Sequence, residues 1–216
     1  MTMLCDTSKS LNNREQKNVE VDLTHFDKDA LNPLQSVLLC LESSLKADAH
    51  EGGNWIRSED DQRYHTILEP LGKLLQAKVP TKCNVLSSLH DDTTKSISNF
   101  QMLVQGIGTE DHGSVSGCFI ALAAAAGNEQ LWKPLNHSIL EACGNEKRTE
   151  VRKAGVSILL SVIQALGEEY MVLLPECLPV LSELLEDEDE EIVAMAKECI
   201  HQGEELLGES LDDSLM

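Results

Sequence analysis

VLLPECLPVLSELLEDEDEEIVAMAKECIHQGEELLG, residues 172–208, repeats the pattern of LWKPLNHSILEACGNEKRTEVRKAGVSILLSVIQALG, residues 131–167. The two segments superimpose at an offset of 41 residues, and apolar positions match along their length. The identical pairs are Pro134 and Pro175, Leu140 and Leu181, Glu150 and Glu191, Leu166 and Leu207, and Gly167 and Gly208. Five identities would be weak evidence alone, but the shared periodicity, proline and terminal glycine indicate an internal repeat.

Each unit has the pattern of a helical hairpin. A shorter amphipathic segment opens with proline, a polar turn follows, and a longer amphipathic segment ends at glycine. Proline suits the first turn of a helix, and glycine suits the end because it can adopt positive φ. Two antiparallel helices repeated every 40 residues or so, about the HEAT and armadillo period, stack on their neighbours and share one core. The repeat therefore predicts an all-α fold, an α-solenoid of HEAT-like antiparallel helical hairpins.

The composition favours the same fold class. Only 7 of the 216 residues are aromatic, so the core must consist of aliphatic side chains, whereas a β-sandwich would need more aromatic and β-branched residues. We expect residues 1–30 to be a disordered lead-in and residues 31–208 to form the helical repeats. The clearest units are 131–167 and 172–208, and residues 209–216 form an acidic C-terminal tail.

Two amphipathic helices are predicted upstream of the repeat. The first buries Leu34, Val37, Leu38, Leu41 and Leu45, and the second buries Tyr64, Ile67, Leu68, Leu71, Leu74 and Leu75. Ser58 is expected to cap the second helix, Pro70 to kink it or delay its start, and Pro80 to stop it. Residues 81–106 show a weaker helical pattern, followed by the loop GIGTEDHG, residues 106–113.

The leucines of the last unit allow two interpretations. Leu173, Leu174, Leu178, Leu181, Leu184 and Leu185 follow helical spacing, so we expect them in the core rather than in a groove for a partner. Pro179 lacks the N–H that a helix interior needs, so it should bend this helix or shift its start.

Two stretches resemble the HEAT-repeat consensus. LLPECLPVLSELLEDEDEEI, residues 173–192, has the leucine-proline helix that leads through an acidic turn, and TEVRKAG, residues 149–155, has the V-R-x-x-A start of a second helix. Residues 131–211, from LWKPLNHSIL to EELLGESL, more specifically resemble the C-terminal end of the very large HEAT-repeat proteins of the small-subunit processome. Residues 33–127 fit that resemblance loosely.

The resemblance implies a function. The small-subunit processome is the nucleolar particle that folds and cleaves pre-ribosomal RNA alongside a box C/D small nucleolar RNA. Membership implies a non-enzymatic scaffold segment in ribosome biogenesis, located in the nucleolus, with the proteins of a pre-ribosomal particle as partners and RNA associated indirectly. The alternative is a HEAT-type transport or regulatory adaptor that binds a protein partner and is unrelated to ribosomes.

Six consecutive carboxylates interrupt the last unit. They are Glu186, Asp187, Glu188, Asp189, Glu190 and Glu191. An EF-hand is disfavoured because the glycine at the sixth loop position is missing. A helix start explains most of them, with Asp187 as the cap, Glu190 three residues on, and the following acids favoured by the helix dipole. The excess, around Glu186 and Glu188, could contact a partner with a basic surface.

A basic run lies at the predicted start of the second helix of the preceding unit, the end where the helix dipole disfavours positive charge. It contains Lys147, Arg148, Arg152 and Lys153. An inter-repeat ion pair, with Arg152 reaching Asp187 or Asp189, is favoured over contact with a phosphate, although both remain possible uses of four bases.

Several classes of function are disfavoured. The net charge of −20 opposes sequence-independent binding to nucleic acid. The longest apolar run, residues 117–127, is too short to span a membrane, and the seven scattered cysteines favour reduced thiols inside a cell. Partial matches to phosphate-loop and nucleophile motifs lack essential residues. We therefore expect a soluble intracellular protein with no catalytic residue, cofactor, metal ion or small-molecule substrate.

Overall fold

The computed structural model describes residues 28–58, 62–78, 100–106 and 113–211. Within these ranges the chain forms seven α-helices: α1 Lys28–His50, α2 Gln62–Leu75, α3 Val115–Ala126, α4 Glu129–Cys143, α5 Thr149–Leu166, α6 Leu174–Leu184 and α7 Glu190–Leu207. A π-helical turn, Gln101–Gln105, precedes α3, and a 3₁₀ segment, Gly167–Leu173, joins α5 to α6. The all-α prediction is confirmed.

The internal repeat corresponds to two successive helical hairpins. Helices α4 and α5 form the first and α6 and α7 the second, and α5 packs against α7 across the boundary. Helices α5 and α7 begin at Thr149 and Glu190 and end at Leu166 and Leu207, so both ends keep the offset of 41 residues. Gly208 follows α7 in the left-handed conformation that the sequence pattern predicted.

The two hairpins differ at their first helix, where one sequence prediction is wrong. Proline was expected to open both units, and Pro175 does lie in the first turn of α6. Pro134 instead lies inside α4, which begins five residues earlier because the Asn128 side chain caps it, accepting a hydrogen bond of 3.0 Å from the Leu131 N–H. In the second hairpin the 3₁₀ segment occupies the equivalent positions.

Helix α3 lies at the centre of the upstream part. It contacts α1, α2, α4 and α5, and eight of its residues are buried. Half of them are alanine, so neighbouring backbones can approach closely. At Gly113, just before the helix, an added Cβ would lie 2.0 Å from the Leu39 backbone nitrogen. Small residues thus explain why α3 has little amphipathic character.

Helix α1 differs from the predicted stripe at one position. Leu38 and Leu45 are buried and Leu34 and Leu41 are partly buried, but Val37 is 62% exposed. The face that meets α3 follows residues 34, 38, 41 and 45, and Val37 lies beside it. The helix begins at Lys28, ahead of Pro33, and residues 1–27 lie outside the described ranges.

Helix α2 buries the predicted face. Tyr64, Leu68, Leu71 and Leu75 are buried, with Ile67 and Leu74 partly buried. The helix starts at Gln62, and the predicted cap at Ser58 involves residues 59–61, which lie outside the described ranges. It continues through Pro70 and ends at Leu75, before Pro80.

Most of the weaker helical pattern in residues 81–106 lies outside the described ranges, which omit residues 79–99. The part that is described contributes Phe100, Leu103 and Val104 to the core. Most of the predicted loop 106–113 also falls outside them. The buried residues of all seven helices form one continuous hydrophobic cluster, so the hairpins share a core as stacked repeats do.

Candidate functional site

The acidic run lies in the turn between α6 and α7. Leu185 follows the last residue of α6, and α7 begins at Glu190, so residues 186–189 form the connection itself. The basic run spans the equivalent turn of the preceding hairpin and the start of α5: Lys147 and Arg148 lie in the turn, and Arg152 and Lys153 lie in the first turns of α5. Because α5 and α7 pack side by side, the two turns meet at the same end of the stack.

Arg152 joins the two turns through a two-point ion pair with Asp187. Its Nε lies 2.7 Å from Oδ2 and its Nη2 lies 3.2 Å from Oδ1 of the carboxylate. Only 16% of the arginine side chain and 7% of the aspartate side chain are exposed. Arg152 also donates a 3.0 Å hydrogen bond to the Asn145 carbonyl, which fixes the guanidinium at the turn. This is the inter-repeat pair that the sequence favoured over a phosphate contact.

Lys153 makes a second connection beside the first. Its Nζ lies 2.8 Å from Asp189 Oδ2 and 2.7 Å from Glu191 Oε2. The neighbouring lysine and arginine at the start of α5 therefore both bind acids of the next hairpin. Together they hold the acidic turn against α5.

The helix cap differs from the prediction. Asp187 was expected to cap α7, but the capping residue is Asp189, whose Oδ1 accepts a 3.0 Å hydrogen bond from the Glu191 N–H. Asp187 instead accepts from the Asp189 N–H at 2.9 Å within the turn, while its carboxylate binds Arg152. The helix therefore starts two residues later than a cap at Asp187 would place it.

The ion pairs alter the protonation of the groups involved. The hydrogen bond from Arg152 lowers the pKa of Asp187 below its ordinary value. The hydrogen bond from Lys153 lowers the pKa of Asp189, and the same contact raises the pKa of Lys153. All three groups are thus held in their charged forms at neutral pH.

Four of the six acids are exposed, and three of these have no side-chain partner within the described ranges, because Glu191 binds Lys153. Glu186, Glu188 and Glu190 are exposed, and no hydrogen bond or ion pair joins their carboxylates to another side chain within the described ranges. The sequence placed the excess charge around Glu186 and Glu188. The structure adds Glu190, because capping falls to Asp189.

The four bases do not form one cationic surface. Arg148 points inward, where its Nη1 donates to the carbonyls of Gln76 and Ala77 at 2.8 and 2.9 Å and its guanidinium lies over the Phe100 ring. Arg152 and Lys153 bind acids of the next hairpin. Lys147 is the exposed member of the set, and the structure shows no ion pair to it from the described residues.

Asn145 supports this arrangement, and the sequence interpretation missed it. Its Oδ1 accepts hydrogen bonds from the backbone N–H groups of Lys147 and Arg148, at 3.1 and 3.0 Å. An asparagine two residues before a basic pair is a recognisable signal for such a turn. It folds the α4–α5 connection so that Arg152 can reach across.

A buried polar network links the same two hairpins further inside. Tyr170 donates a 2.9 Å hydrogen bond to Asn136 Oδ1, and the Cys177 thiol lies 3.4 Å from the same oxygen. Asn136 and Cys177 occupy equivalent positions, 41 residues apart. Burial raises the pKa of Cys177 to about 12 and also raises the pKa of Tyr170, so both act as neutral hydrogen-bonding groups.

The described residues contain no group of three or more His, Cys, Asp or Glu side chains arranged to hold a metal ion. One continuous helical stretch, Thr149–Leu184, is long and apolar enough to cross a membrane by length and composition, and an 18-residue window within it has a mean hydropathy of 1.5. It comprises α5, the 3₁₀ segment and α6, and its buried residues lie within the shared core of the hairpins.

The leucines in and beside α6 were expected in the core rather than in a groove for a partner, and the structure places some of them in each setting. Leu173, Leu174, Leu181 and Leu184 are buried, whereas Leu178 and Leu185 are partly exposed. Leu178 faces an open groove between α6 and the end of α7. Helix α6 continues through Pro179 after starting at Leu174.

Comparison with known proteins finds similarity to HEAT repeat-containing protein 1, to U3 small nucleolar RNA-associated protein 10 and to an uncharacterized plant protein. An uncharacterized protein of Arabidopsis thaliana is 30% identical over 217 aligned positions, which cover 98% of this chain and 9% of that protein. Human HEAT repeat-containing protein 1 is 40% identical over 94 residues, covering 44% of this chain and 4% of that protein. U3 small nucleolar RNA-associated protein 10 of Aspergillus oryzae is 38% identical over 105 positions, covering 44% and 6%.

The chain thus spans less than a tenth of the length of each of these three relatives. No family model matches it.

Proposed function

Because the chain is a homologue of HEAT repeat-containing protein 1 and of U3 small nucleolar RNA-associated protein 10, we propose that it is a non-enzymatic scaffold segment of the small-subunit processome. In this role it supports pre-ribosomal RNA processing and ribosome biogenesis in the nucleolus. The observation that carries the proposal is the 40% identity to the human relative over 94 residues.

The physical properties of the fold suit a scaffold. Stacked hairpins share one hydrophobic cluster, so each hairpin is held by its neighbour and the outer turns are presented in a fixed order. The Arg152–Asp187 pair and the two Lys153 contacts hold the last turn against the preceding hairpin. A partner that binds this turn therefore meets a preformed surface.

The partner surface is expected to be basic. The segment from Glu168 to Met216 contains 16 acidic residues and one base, Lys197. Glu186, Glu188 and Glu190 remain exposed in the turn after Asp187, Asp189 and Glu191 have been engaged within the chain. Close like charges repel one another, and Lys or Arg residues of a pre-ribosomal protein would relieve that repulsion.

RNA is expected to associate indirectly. Three of the four bases in the basic run bind groups of the chain itself, which leaves Lys147 exposed in that run. One cation beside a strongly acidic segment gives little attraction for a phosphate backbone. Contact with RNA is therefore proposed to pass through proteins of the assembled particle.

Co-sedimentation tests the scaffold role. A tagged chain expressed in cells should migrate with early pre-ribosomal particles in a sucrose gradient. Absence of the chain from those fractions, when the full-length relative is present in them, would show that the role does not extend to this segment.

Charge reversal tests the acidic surface separately. The triple variant Glu186→Lys, Glu188→Lys, Glu190→Lys should no longer co-sediment with the pre-ribosomal particles. A control with the same change in net charge is Glu141→Lys, Glu168→Lys, Glu169→Lys, whose side chains are also exposed. Equal loss in both variants would mean that net charge, rather than the turn, determines association.

The adaptor alternative is not favoured. The names of the two named relatives refer to HEAT repeats and to a small nucleolar RNA, and neither refers to transport. Affinity purification distinguishes the two functions, since ribosome-assembly factors among the captured proteins support the scaffold and importins or phosphatase subunits support an adaptor.

A further inference from the structure

A groove opens beside the last hairpin, along α6 and the end of α7. Its volume is about 860 Å³, and its walls come from the 3₁₀ segment, from α6, and from the end of α7 with the residues after it. The apolar side chains that matter most are Leu174, Leu178, Leu207 and Leu211. Leu207 is 42% exposed and so presents apolar surface to the groove.

The wall formed by the end of the chain is anchored rather than loose. Leu211 is only 5% exposed, and its backbone N–H donates a 2.9 Å hydrogen bond to the Glu204 carboxylate. An added Cβ at Gly203 would lie 3.2 Å from Leu174 and 3.5 Å from Leu211, so the two leucines close over this glycine. The floor and the far wall of the groove are therefore preformed.

Two prolines also line the groove. Pro175 and Pro179 are both exposed and form part of the apolar wall on α6.

The charges around the groove are acidic. Glu183 and Glu209 line it and are exposed, and none of its lining residues is basic. Lys197 is the one base after residue 167, and it does not line the groove. An apolar floor with carboxylates at its edge matches a ligand that carries both aliphatic side chains and positively charged groups.

We propose that this groove binds an amphipathic segment of a partner protein, with Leu- or Ile-type side chains on the floor and Lys or Arg beside Glu183 and Glu209. In this binding mode an amphipathic helix lays its apolar face into a hydrophobic groove, with apolar side chains from successive turns as anchors. The proposal goes beyond the scaffold role, because it identifies a second surface and the chemistry of its occupant. It does not require that the partner be ribosomal.

The test is selection from a random 16-residue peptide library displayed on phage, with the full chain as the immobilised target. The recovered peptides should combine aliphatic residues with Lys or Arg at helical spacing. Their Kd values for the purified chain are then measured by fluorescence anisotropy, together with the salt dependence of binding.

Two groove variants and two matched controls locate the binding. Leu207→Ser removes an apolar contact and should weaken binding about tenfold, since burying one leucine side chain contributes about that factor. Glu183→Lys should weaken it several-fold and abolish most of the salt dependence. The controls are Val172→Ser, at a residue that is 50% exposed and does not line the groove, and Glu186→Lys in the acidic turn. Neither control should change the Kd by more than about twofold.

Folding is checked by circular dichroism and thermal melting, and both groove positions are exposed enough for the variants to fold. The proposal is overturned if the selected peptides lack basic residues, if the controls weaken binding as much as the groove variants, or if no peptide depends on Leu207. It is also overturned if peptides bind only after residues 212–216 are removed, since the chain would then occupy its own groove. A scaffold role would survive each of these results, because it is tested by the particle fractions.

Discussion

Arg152 contributes more to the stability of the contact between the last two hairpins than its position at the start of α5, beside a polar turn, suggests. Its two contacts with Asp187 are nearly shielded from solvent, and a paired charge in such a place becomes costly when its partner is removed. We expect a double-mutant cycle with Arg152→Ala and Asp187→Ala to give a coupling energy of about 1–2 kcal/mol in chemical denaturation.

The exposed pair Lys73–Glu69 serves as the control for this cycle. Its side chains are 48% and 72% exposed, so solvent screens the charges, although the atoms lie only 2.6 Å apart. A cycle at this pair should give a coupling energy several-fold smaller. Equal values at the two pairs would mean that burial does not strengthen the inter-repeat contact.

Acid should loosen the same contact. Since Arg152 holds the pKa of Asp187 below its ordinary value, the unfolded chain binds a proton at this group more readily than the folded chain. The stabilisation is thus present above the unfolded pKa of about 4 and is lost as pH falls through the folded value. Free energies of unfolding at pH 6, 5, 4 and 3 should decline less steeply for Asp187→Asn than for the unsubstituted chain. Parallel declines would exclude Asp187 as a source of acid sensitivity.

The cysteines should differ sharply in reactivity. Burial raises the pKa values of Cys118, Cys177 and Cys199 to about 12, and it also raises the pKa of Cys143, whereas Cys40 is exposed. The thiolate is the reactive form, so at pH 8 the buried thiols should react with iodoacetamide roughly a thousandfold more slowly than Cys40. Peptide mapping by mass spectrometry assigns each site, and addition of guanidinium should remove the difference. Fast labelling of Cys177 in the native chain would contradict the packing of α6.

At the level of the helices, the sequence predicted ends better than beginnings. Gly167 and Gly208 each follow a helix, because a residue with φ of 59° or 72° is readily supplied only by glycine. Helix starts depend on which of several competent side chains caps the helix: Asp187 was predicted to cap α7, but Asp189 does so. Asp187 pairs with Arg152 of the preceding hairpin instead. That pairing is a tertiary contact, so the capping rules for a single helix do not include it.

The crossing of α4 and α5 depends on a glycine that the sequence pattern did not identify. An added Cβ at Gly155 would lie 2.8 Å from the Cys143 backbone nitrogen and 2.9 Å from its Sγ, so one of the helices would have to move. We expect Gly155→Ala to lower the free energy of unfolding by about 1–3 kcal/mol, despite the higher helix propensity of alanine.

Gly144 provides the matched control for Gly155. Its φ is −82°, and the nearest atom to an added Cβ is the Leu140 carbonyl oxygen at 3.6 Å. Gly144→Ala should therefore leave stability nearly unchanged, or increase it slightly through the unfolded state. Thermal melts of both variants test this expectation. An unchanged Tm for Gly155→Ala would show that the two helices are not in close contact.

Over the whole molecule, the repeat in the sequence was enough to predict the fold class and the register of the last two hairpins. The upstream packing was not predictable in the same way. Helix α3 is so rich in alanine that it lacks a clear apolar face. Its packing against neighbouring helices depends on close backbone approach rather than on a periodic apolar stripe. The same limit applies to the groove, since spacing alone could not show that Leu178 and Leu207 line one surface.

A solenoid whose hairpins share a core should not tolerate the loss of its last unit. A chain of residues 1–167 lacks α6 and α7, which leaves Arg152 without Asp187, Asn136 without Tyr170, and the side of α5 that faces α7 open to water. Since a hairpin of this kind buries its apolar stripe only against its neighbour, the exposed stripe should cause self-association. We expect a lower Tm for this chain and a mass above that of the monomer in size-exclusion chromatography with light scattering. A chain of residues 1–211, which keeps every described helix, is the control and should match the full chain in both measurements. A monomeric 1–167 chain with an unchanged Tm would show instead that the last hairpin is an independent addition to a stack already complete without it.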